Sequence, residues 1–384
     1  MEEERATLEL SGLRSKSEAW NKALERVGVI DYVPSSFTVC LRRLIGEPPG
    51  QEGAKNVLDE ETEFLLNRFL RSPSIMAHVY FFTLTFHPDF VANHSSISAR
   101  DFIKLYGAAE WAAVLALVFL TRTLKRKCAE QEWQELSKTL QEGVDIGGIL
   151  GRRVAALGLG SGLLVPGVRY LALSLYEASD REKLKDYRFR LTKEKHGFDL
   201  ALEQELWGCT HVQIAALLLL LMGFPSWYVR RFETALSAPP AAKLSPDINR
   251  LRILAYWSYA LQMGLNPPTI AGEDDFITSD VELDQIVLET KEVVQKGSKH
   301  SWLLKTSNDL NPAQAAQVEG FEEAKAMVKQ RGKRSQALAA AKAAEEDCFT
   351  LEYAEIPEKM RRLFSKEEFR DLKSEIQSLL SGKS

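Results

Sequence analysis

The segment GCTHVQIAALLLLLMGFP, residues 208–225, places one histidine, His211, directly before the most apolar run of the chain. An imidazole can ligate a transition metal or act as a general base near neutral pH. Either role requires partners, and no second histidine follows His211 at helical spacing. The alternative is a structural histidine in the first turn of a buried helix, bonded to a backbone carbonyl or to Glu203 or Glu205. We favour this structural interpretation.

Four further ionisable side chains are concentrated around the segment FHPDFVANH, residues 86–94. His87, Asp89 and His94 lie within it, and His78 lies shortly before it. Imidazole and carboxylate groups can hold zinc. Their spacing matches no helix face, however, and a proline interrupts the segment. We therefore interpret it as a polar loop rather than a metal site.

Two glycine-rich segments raise the question of phosphate binding. GLGSG (158–162) superficially resembles a phosphate-cradling loop, but a dinucleotide fingerprint needs a preceding strand and G-x-G-x-x-G spacing. A helix–helix turn is the better interpretation. In GGILG (147–151) small residues recur four positions apart, which permits close helix packing.

Capping signals predict the helices that must position these side chains. Such signals occur at Ser98 with Asp101, Thr210 with Gln213, Ser245 with Pro246, and Asn311 with Pro312. The apolar stretch that Ser98 opens continues to Leu120. Alternating β-branched segments joined by tight turns are missing, although a short extended piece is expected at 348–353. The fold class is therefore predicted to be all-α.

Composition excludes several classes of protein. The 384 residues are 45% hydrophobic and 27% charged, with a formal net charge of −4, so no global field draws the chain to nucleic acid or anionic lipid. Four scattered cysteines without a C-x-x-C pair argue against a zinc ribbon or a disulfide scaffold and suit a reducing compartment. The apolar runs 111–120 and 212–224 are shorter than the ~18–20 residues of a membrane span. The acidic start lacks a signal sequence, and we expect a cytoplasmic protein.

Breaks in composition suggest three regions. Proline- and glycine-rich stretches lie at 45–53 and 266–275. They predict an N-terminal helical extension and linker over 1–55, a central helical domain over 56–265, and a C-terminal helical region over 266–384.

Several stretches of the central region resemble the HDOD domain, the output-type relative of the metal-dependent HD phosphohydrolases. The segments that carry the resemblance are RSPSIMAHVYFF, SISARDFIKLYGAAEWAAVLAL, VRYLALSLYEAS, LEQELWGCTHVQIAALLLLLMGFPSWYVRRF and LRILAYWSYALQMGL. The fourth is the most specific, because Glu203 or Glu205, Gly208, His211 and Pro225 are in register with the family pattern. The resemblance implies an HD-like helical bundle with helical N- and C-terminal extensions.

The departures from that family pattern fall on the metal ligands. An HD enzyme holds its metal with a histidine, an adjacent His-Asp pair and a later aspartate. Here the first histidine falls near Glu135, the pair falls on Tyr176 and Glu177, and the later aspartate falls on Tyr256. A phenol is a poor ligand at neutral pH because its pKa is near ~10. With His211 these residues would line a degenerate cleft, and we expect no catalytic residue, metal or cofactor.

The C-terminal region carries a basic cluster and an amphipathic stripe. The basic cluster has no aromatic residue among its members, which disfavours nucleic-acid binding. The stripe suits docking within the chain or binding to another protein. The candidate partner-binding residues from both features are Lys329, Arg331, Lys333, Arg334, Phe369, Leu372, Ile376 and Leu379.

The resemblance implies a non-catalytic regulatory module of bacterial signal transduction. We expect it to act through protein partners that are themselves signalling components. Two alternatives stay open: a divergent HD-type phosphohydrolase with a rebuilt site, and a sensor that binds nucleotides or cyclic dinucleotides without hydrolysing them.

Overall fold

The computed structural model describes residues 17–30, 33–48, 58–128, 130–177, 180–194 and 198–336. Within them the chain forms α-helices, two short 3-10 helices and no β-strand. The α-helices are α1 (Glu18–Val27), α2 (Ser35–Ile45), α3 (Glu60–Leu70), α4 (Pro73–Phe86), α5 (Pro88–Asn93), α6 (Ala99–Leu105), α7 (Ala108–Lys125), α8 (Glu130–Arg153), α9 (Leu159–Glu177), α10 (Arg181–Glu194), α11 (Leu200–Trp207), α12 (His211–Leu221), α13 (Ser226–Ser237), α14 (Pro246–Gln262), α15 (Leu283–Lys296), α16 (Pro312–Gln317) and α17 (Phe321–Gln336). The 3-10 helices are Glu273–Asp275 and Trp302–Leu304. The predicted all-α bundle, with further helices before and after it, is confirmed for these residues.

The centre of the bundle consists of α7, α8, α9 and α12. Every α7 residue from Trp111 to Thr121 is buried, and in α12 every residue except Gln213 is buried. Helices that are apolar on all sides belong inside a protein, away from water. α9 packs against α7, α8 and α12, so it forms the axis around which the other helices are arranged.

No single helix among the described residues is both long enough and apolar enough to cross a bilayer. The pairs α6–α7 and α11–α12 pass such a test only when joined, and they bend by 116° and 84° at their junctions.

Glycines allow α8 and α9 to cross at close range. A Cβ atom on Gly147 would lie 2.0 Å from the carbonyl oxygen of Gly162, and one on Gly151 would lie 2.4 Å from that of Gly158. Only a residue without a Cβ permits such an approach. The close-packing interpretation of 147–151 is thus confirmed. Gly158, with a φ of 77°, also forms the predicted turn, although the rest of segment 158–162 already belongs to α9.

Local capping signals place the helix starts correctly. The Ser98 hydroxyl accepts from the Asp101 backbone N–H while the Asp101 carboxylate accepts from the Ser98 N–H. The same reciprocal pair joins Thr210 and Gln213 at the start of α12. The asparagine–proline signal before α16 and the serine–proline signal before α14 also coincide with helix starts.

The prediction that the stretch opened by Ser98 continues unbroken to Leu120 is wrong. α6 and α7 are separate helices, with Tyr106 and Gly107 in extended conformation between them. Tyr106 turns inward at the break, where its hydroxyl donates to Thr83 Oγ1 at 2.7 Å. This contact with α4 outweighs the local preference for a continuous helix.

Residues 298–321 pack against the central helices. Gln317 donates to the carbonyl oxygen of Val91 at 2.8 Å and accepts from the Tyr80 hydroxyl at 2.8 Å. Val318 forms an isolated parallel bridge with Ile97. The division into three predicted regions stays a prediction, and the extended piece predicted at 348–353 lies outside the described residues.

Candidate functional site

The predicted cleft residues occupy different environments. Tyr176 near the end of α9 and His211 at the start of α12 are fully buried, and Tyr256 in α14 is partly buried. Glu135 lies on the outer face of α8 with 65% of its side chain exposed, at 3.6 Å from Arg181. Glu177 is the last residue of α9, and its side chain is not among the described ones. The structure therefore gathers the two tyrosines and the histidine inside the bundle and leaves Glu135 at the surface.

The centre of this cluster is a pair formed by Glu203 and His211. The Glu203 carboxylate accepts from the His211 backbone N–H at 2.6 Å, and its oxygens lie 2.8 and 2.9 Å from His211 Nδ1. Both side chains are completely buried. With Glu203 as the acceptor, the proton of the imidazole is assigned to Nδ1. Glu203 is one of the two glutamates that the sequence offered as a partner for His211.

A tight connection between α11 and α12 brings the two side chains together. Asp199 caps the start of α11, where its carboxylate accepts from the Leu202 N–H at 2.9 Å. Gly208 caps the end of α11, and its φ of 71° is left-handed and suits a residue without a Cβ. The chain then turns into α12 through the Thr210 capping box. Both carboxylate and imidazole are thereby fixed by local backbone geometry.

Tyr187 of α10 completes the hydrogen bonding of the carboxylate. Its hydroxyl donates to Glu203 Oε1, and its ring meets Trp207 edge-on with centroids 5.3 Å apart. Burial and the neighbouring Glu203 carboxylate hold the pKa of the Tyr187 phenol well above its usual value. Three donors, from Tyr187 and from the backbone and ring of His211, therefore converge on one buried acid. His211 Nε2 is buried without a hydrogen-bond partner among the described residues.

Tyr176 belongs to the packed interior. Its hydroxyl donates to the Cys209 carbonyl oxygen at 2.8 Å, and its ring stacks on Trp207 with centroids 4.1 Å apart. The guanidinium of Arg26, which belongs to α1, lies 5.0 Å from the centroid of the Tyr176 ring. Burial, followed by the Glu203 charge, raises the pKa of the Tyr176 phenol far above its usual value. The phenol thus stays protonated, and a protonated phenol makes a poor metal ligand.

Tyr256 connects to His211 through an aromatic contact. The Phe198 ring lies edge-on to His211 at 5.3 Å and tilted against Tyr256 at 4.7 Å. The buried Arg169 guanidinium lies 4.5 Å from the Phe198 centroid and 4.9 Å from that of Tyr259. A cation held over aromatic faces is favourable in a site that excludes water. Burial raises the pKa of Tyr256 above its usual value, against the opposing effect of the nearby Arg169 charge.

These donors do not fit the metal that an HD enzyme holds with its histidines and aspartates. Two of the positions aligned with metal ligands, Tyr176 and Tyr256, carry protonated phenols, and a third, Glu135, lies exposed on the outer face of α8. The described residues contain no group of three or more histidine, cysteine, aspartate or glutamate side chains placed to hold a metal ion. The arrangement is a buried polar cluster centred on Glu203 and lined by aromatic rings, in which His211 Nε2 has no partner among the described residues.

The histidines around residues 86–94 also have local partners. His78 Nδ1 lies 2.7 Å from the Ser74 carbonyl oxygen, and His94 Nδ1 lies 2.7 Å from that of Phe90. The polar-loop prediction is wrong for most of this segment, because it forms the short helix α5. Pro88, which was expected to interrupt the segment, instead occupies the first helical position, where its missing N–H costs nothing.

Several members of the buried cluster were not among the residues predicted from the sequence. Arg169 is the one charged residue in the run PGVRYLALSL, which was the available signal for a buried cation. Tyr187 lies between Leu184 and Leu191 at helical spacing, so its burial could have been anticipated. No comparable signal marked Phe198.

A groove of about 420 Å³ opens beside the cluster, between α1 and α11. Its walls include Lys22, Arg26, Lys183 and the edge of Trp207, together with Glu18. Lys22 and Glu18 form an ion pair at 3.0 Å. The groove is polar and reachable from solvent, in contrast to the closed cluster behind it.

The candidate partner-binding residues lie largely beyond these helices. Lys329 is exposed on α17. Arg331, Lys333 and Arg334 belong to the same helix, but their side chains are not described. Phe369, Leu372, Ile376 and Leu379 fall outside the described residues.

Comparison with known proteins gives one distant structural likeness. No protein-family model and no curated protein matches the chain. A crystal structure from Shewanella amazonensis SB2B, provisionally described as a phosphohydrolase, is 15% identical, covers 77% of this chain and 100% of its own, and aligns with a TM-score of 0.46. A likeness this distant does not establish a family or an activity.

Proposed function

We propose that this chain is a non-catalytic regulatory module of bacterial signal transduction that acts by binding another protein. The proposal rests on the sequence resemblance to HDOD domains and on the chemistry of the buried cluster. It does not rest on the distant structural likeness.

The observation that carries the proposal is the closed network around Glu203. Catalysis by an HD-type site needs a metal bound by imidazole and carboxylate groups, with an open position for water and substrate. In this chain the His211–Glu203 pair, the Tyr187 and Tyr176 phenols and Trp207 fill the corresponding region with side chains that bond to each other. All five are buried, which leaves them no access to a substrate.

We assign partner binding to the amphipathic stripe formed by Phe369, Leu372, Ile376 and Leu379. The test is capture of partners from the native host by the full-length protein and by a variant with Phe369→Ser and Leu372→Ser. A matched control carries Lys366→Ser and Lys373→Ser in the same segment. Loss of a specific partner in the first variant and its retention in the control would support the assignment. An identical partner set for both variants would refute it.

The groove between α1 and α11 favours a second candidate, a sensor of anionic ligands such as cyclic dinucleotides. Three cationic side chains line it, together with Trp207 and two acids, Glu18 and Glu205. A ligand that binds the native state raises its melting temperature. We expect any such shift to vanish with Lys22→Glu and Lys183→Glu, but to persist with Lys125→Glu and Lys127→Glu on another surface. The absence of a shift with every nucleotide would remove this candidate.

A further inference from the structure

After α15 the chain crosses the face of the bundle as a strap, residues 298–304. Its Trp302 side chain is completely buried, and the indole meets the Phe82 ring edge-on at 5.0 Å. The strap contacts α4, α7 and α8 through the 3-10 helix Trp302–Leu304. Ser301 has a φ of 46°, which a residue with a Cβ adopts only where surrounding contacts impose it. The strap is therefore held in place by its docking rather than by its own backbone preference.

A buried carboxyl on α8 controls the central contact of the strap. The Gln141 side-chain amide donates to Asp145 Oδ1 at 2.9 Å, and the Gln141 carbonyl oxygen accepts from the Leu303 backbone N–H at 2.9 Å. Gln141 and Asp145 are both buried. Ser298 and Trp302 of the strap also face the Asp145 carboxyl. Asp145 thus fixes the amide that holds the strap backbone.

No cationic side chain among the described residues pairs with Asp145. The charged neighbour from α8 is Glu142, another acid. Its contacts from the strap are the neutral Ser298 and Trp302. Burial, opposed by the hydrogen bonds from Ser298 and Gln141, raises the pKa of Asp145 to about 7. A carboxyl buried without a counter-charge favours its protonated form.

Two histidines near the strap have pKa values below that of Asp145. His78 of α4 contacts the Leu303 backbone, and burial lowers its pKa to about 4. His300 lies in the strap itself, and burial and the nearby Lys299 and Lys305 lower its pKa below its usual value.

We propose that the strap is a pH-dependent latch in which the Asp145 carboxyl, through Gln141, holds Trp302 and Leu303 against the bundle when protonated and releases them when ionised. Lifting the strap admits water to Asp145, and water stabilises the carboxylate. Asp145 therefore has a higher pKa in the docked state than in the lifted state. At a pH between these two pKa values, the docked state binds one proton more than the lifted state. The latch does not depend on the proposed regulatory function.

The size of the effect follows from the two pKa values. With a pKa of about 7 in the docked state and the ordinary 3.8 in the lifted state, the opening constant rises about tenfold per pH unit between about pH 4 and 7. From pH 5 to pH 7 the rise is about 50-fold, and above pH 7 it levels off.

Hydrogen–deuterium exchange of the full-length protein tests the latch. Protection of peptides covering 298–305, corrected for intrinsic exchange, should fall by about 50-fold from pH 5 to pH 7. Peptides from α12 serve as the reference and should change little. In Asp145→Asn the pH dependence of the strap peptides should disappear, whereas in His300→Gln it should persist.

Four results would overturn the proposal. Strap protection in the wild-type protein could be independent of pH, which needs no variant to observe. The pH dependence could survive Asp145→Asn, or it could vanish in His300→Gln. Protection in α12 could fall in parallel with that of the strap, which would indicate global unfolding instead of a local latch.

Discussion

Replacing Glu203 with alanine tests whether the buried cluster holds the bundle together. The substitution leaves three buried donors without their acceptor: the Tyr187 hydroxyl, the His211 backbone N–H and the His211 ring N–H. Each buried donor left unsatisfied costs about 1–3 kcal/mol. At the lower end of this range for each of the three donors, the free energy of unfolding falls by about 3 kcal/mol.

The assay is urea unfolding followed by circular dichroism. Glu205→Ala is the matched control, because Glu205 lies on the same helix, α11, and is exposed. It should change the free energy of unfolding by no more than about 0.5 kcal/mol. A loss below about 1 kcal/mol for Glu203→Ala, or equal losses for both variants, would refute the reasoning that the carboxylate is the acceptor on which the cluster depends.

Three further predictions follow from other contacts. Gly147→Ala places a Cβ 2.0 Å from the Gly162 carbonyl oxygen and should destabilise the α8–α9 crossing by about 3 kcal/mol or more, measured by urea unfolding. Tyr176→Phe removes the donor to the Cys209 carbonyl oxygen and should cost about 1–2 kcal/mol in the same assay. Burial raises the pKa of Asp145 to about 7, so the stabilisation from the protonated carboxyl is complete below about pH 4 and is lost as the pH rises to about 7. The free energy of unfolding of Asp145→Asn, relative to that of the wild type, should therefore rise between pH 5 and pH 8.

Each of these predictions has its own control. Lys138→Ala, on an exposed position of α8, should leave the free energy of unfolding nearly unchanged, so an equal loss there would contradict the crossing argument. An unaltered stability of Tyr176→Phe would show that its hydroxyl contributes nothing to the cluster. Parallel pH profiles for wild type and Asp145→Asn would mean that Asp145 is already ionised in the folded protein.

Local signals explain which features could be predicted from the sequence. The capping boxes at Ser98 and Thr210 involve residues three positions apart, so their geometry is determined by the segment itself. Glu203 and His211 are separated by one turn between α11 and α12, which begins at Gly208. Because the two residues are close in sequence, Glu203 was one of the two glutamates that the sequence offered as a partner for His211.

Contacts between distant segments explain what could not be predicted. The break at Tyr106 depends on its hydroxyl reaching Thr83 on another helix. The stacking of Arg169 on Phe198 needs α9 to face the start of α11. Neither Asp145 nor Trp302 carried a signal for the strap, because their meeting requires residues more than a hundred positions apart to pack on one face.

We propose that the residues which the HDOD resemblance aligns with HD metal ligands do not hold a metal, and that the cluster around Glu203 and His211 is a closed polar core. The most direct measurement is elemental analysis of full-length protein equilibrated with excess manganese, iron or zinc and then desalted, followed by assay against a panel of nucleotides. The account predicts well under one metal ion per chain and no hydrolysis above the buffer rate. Stoichiometric metal that is lost in His211→Ala, accompanied by nucleotide hydrolysis, would contradict it.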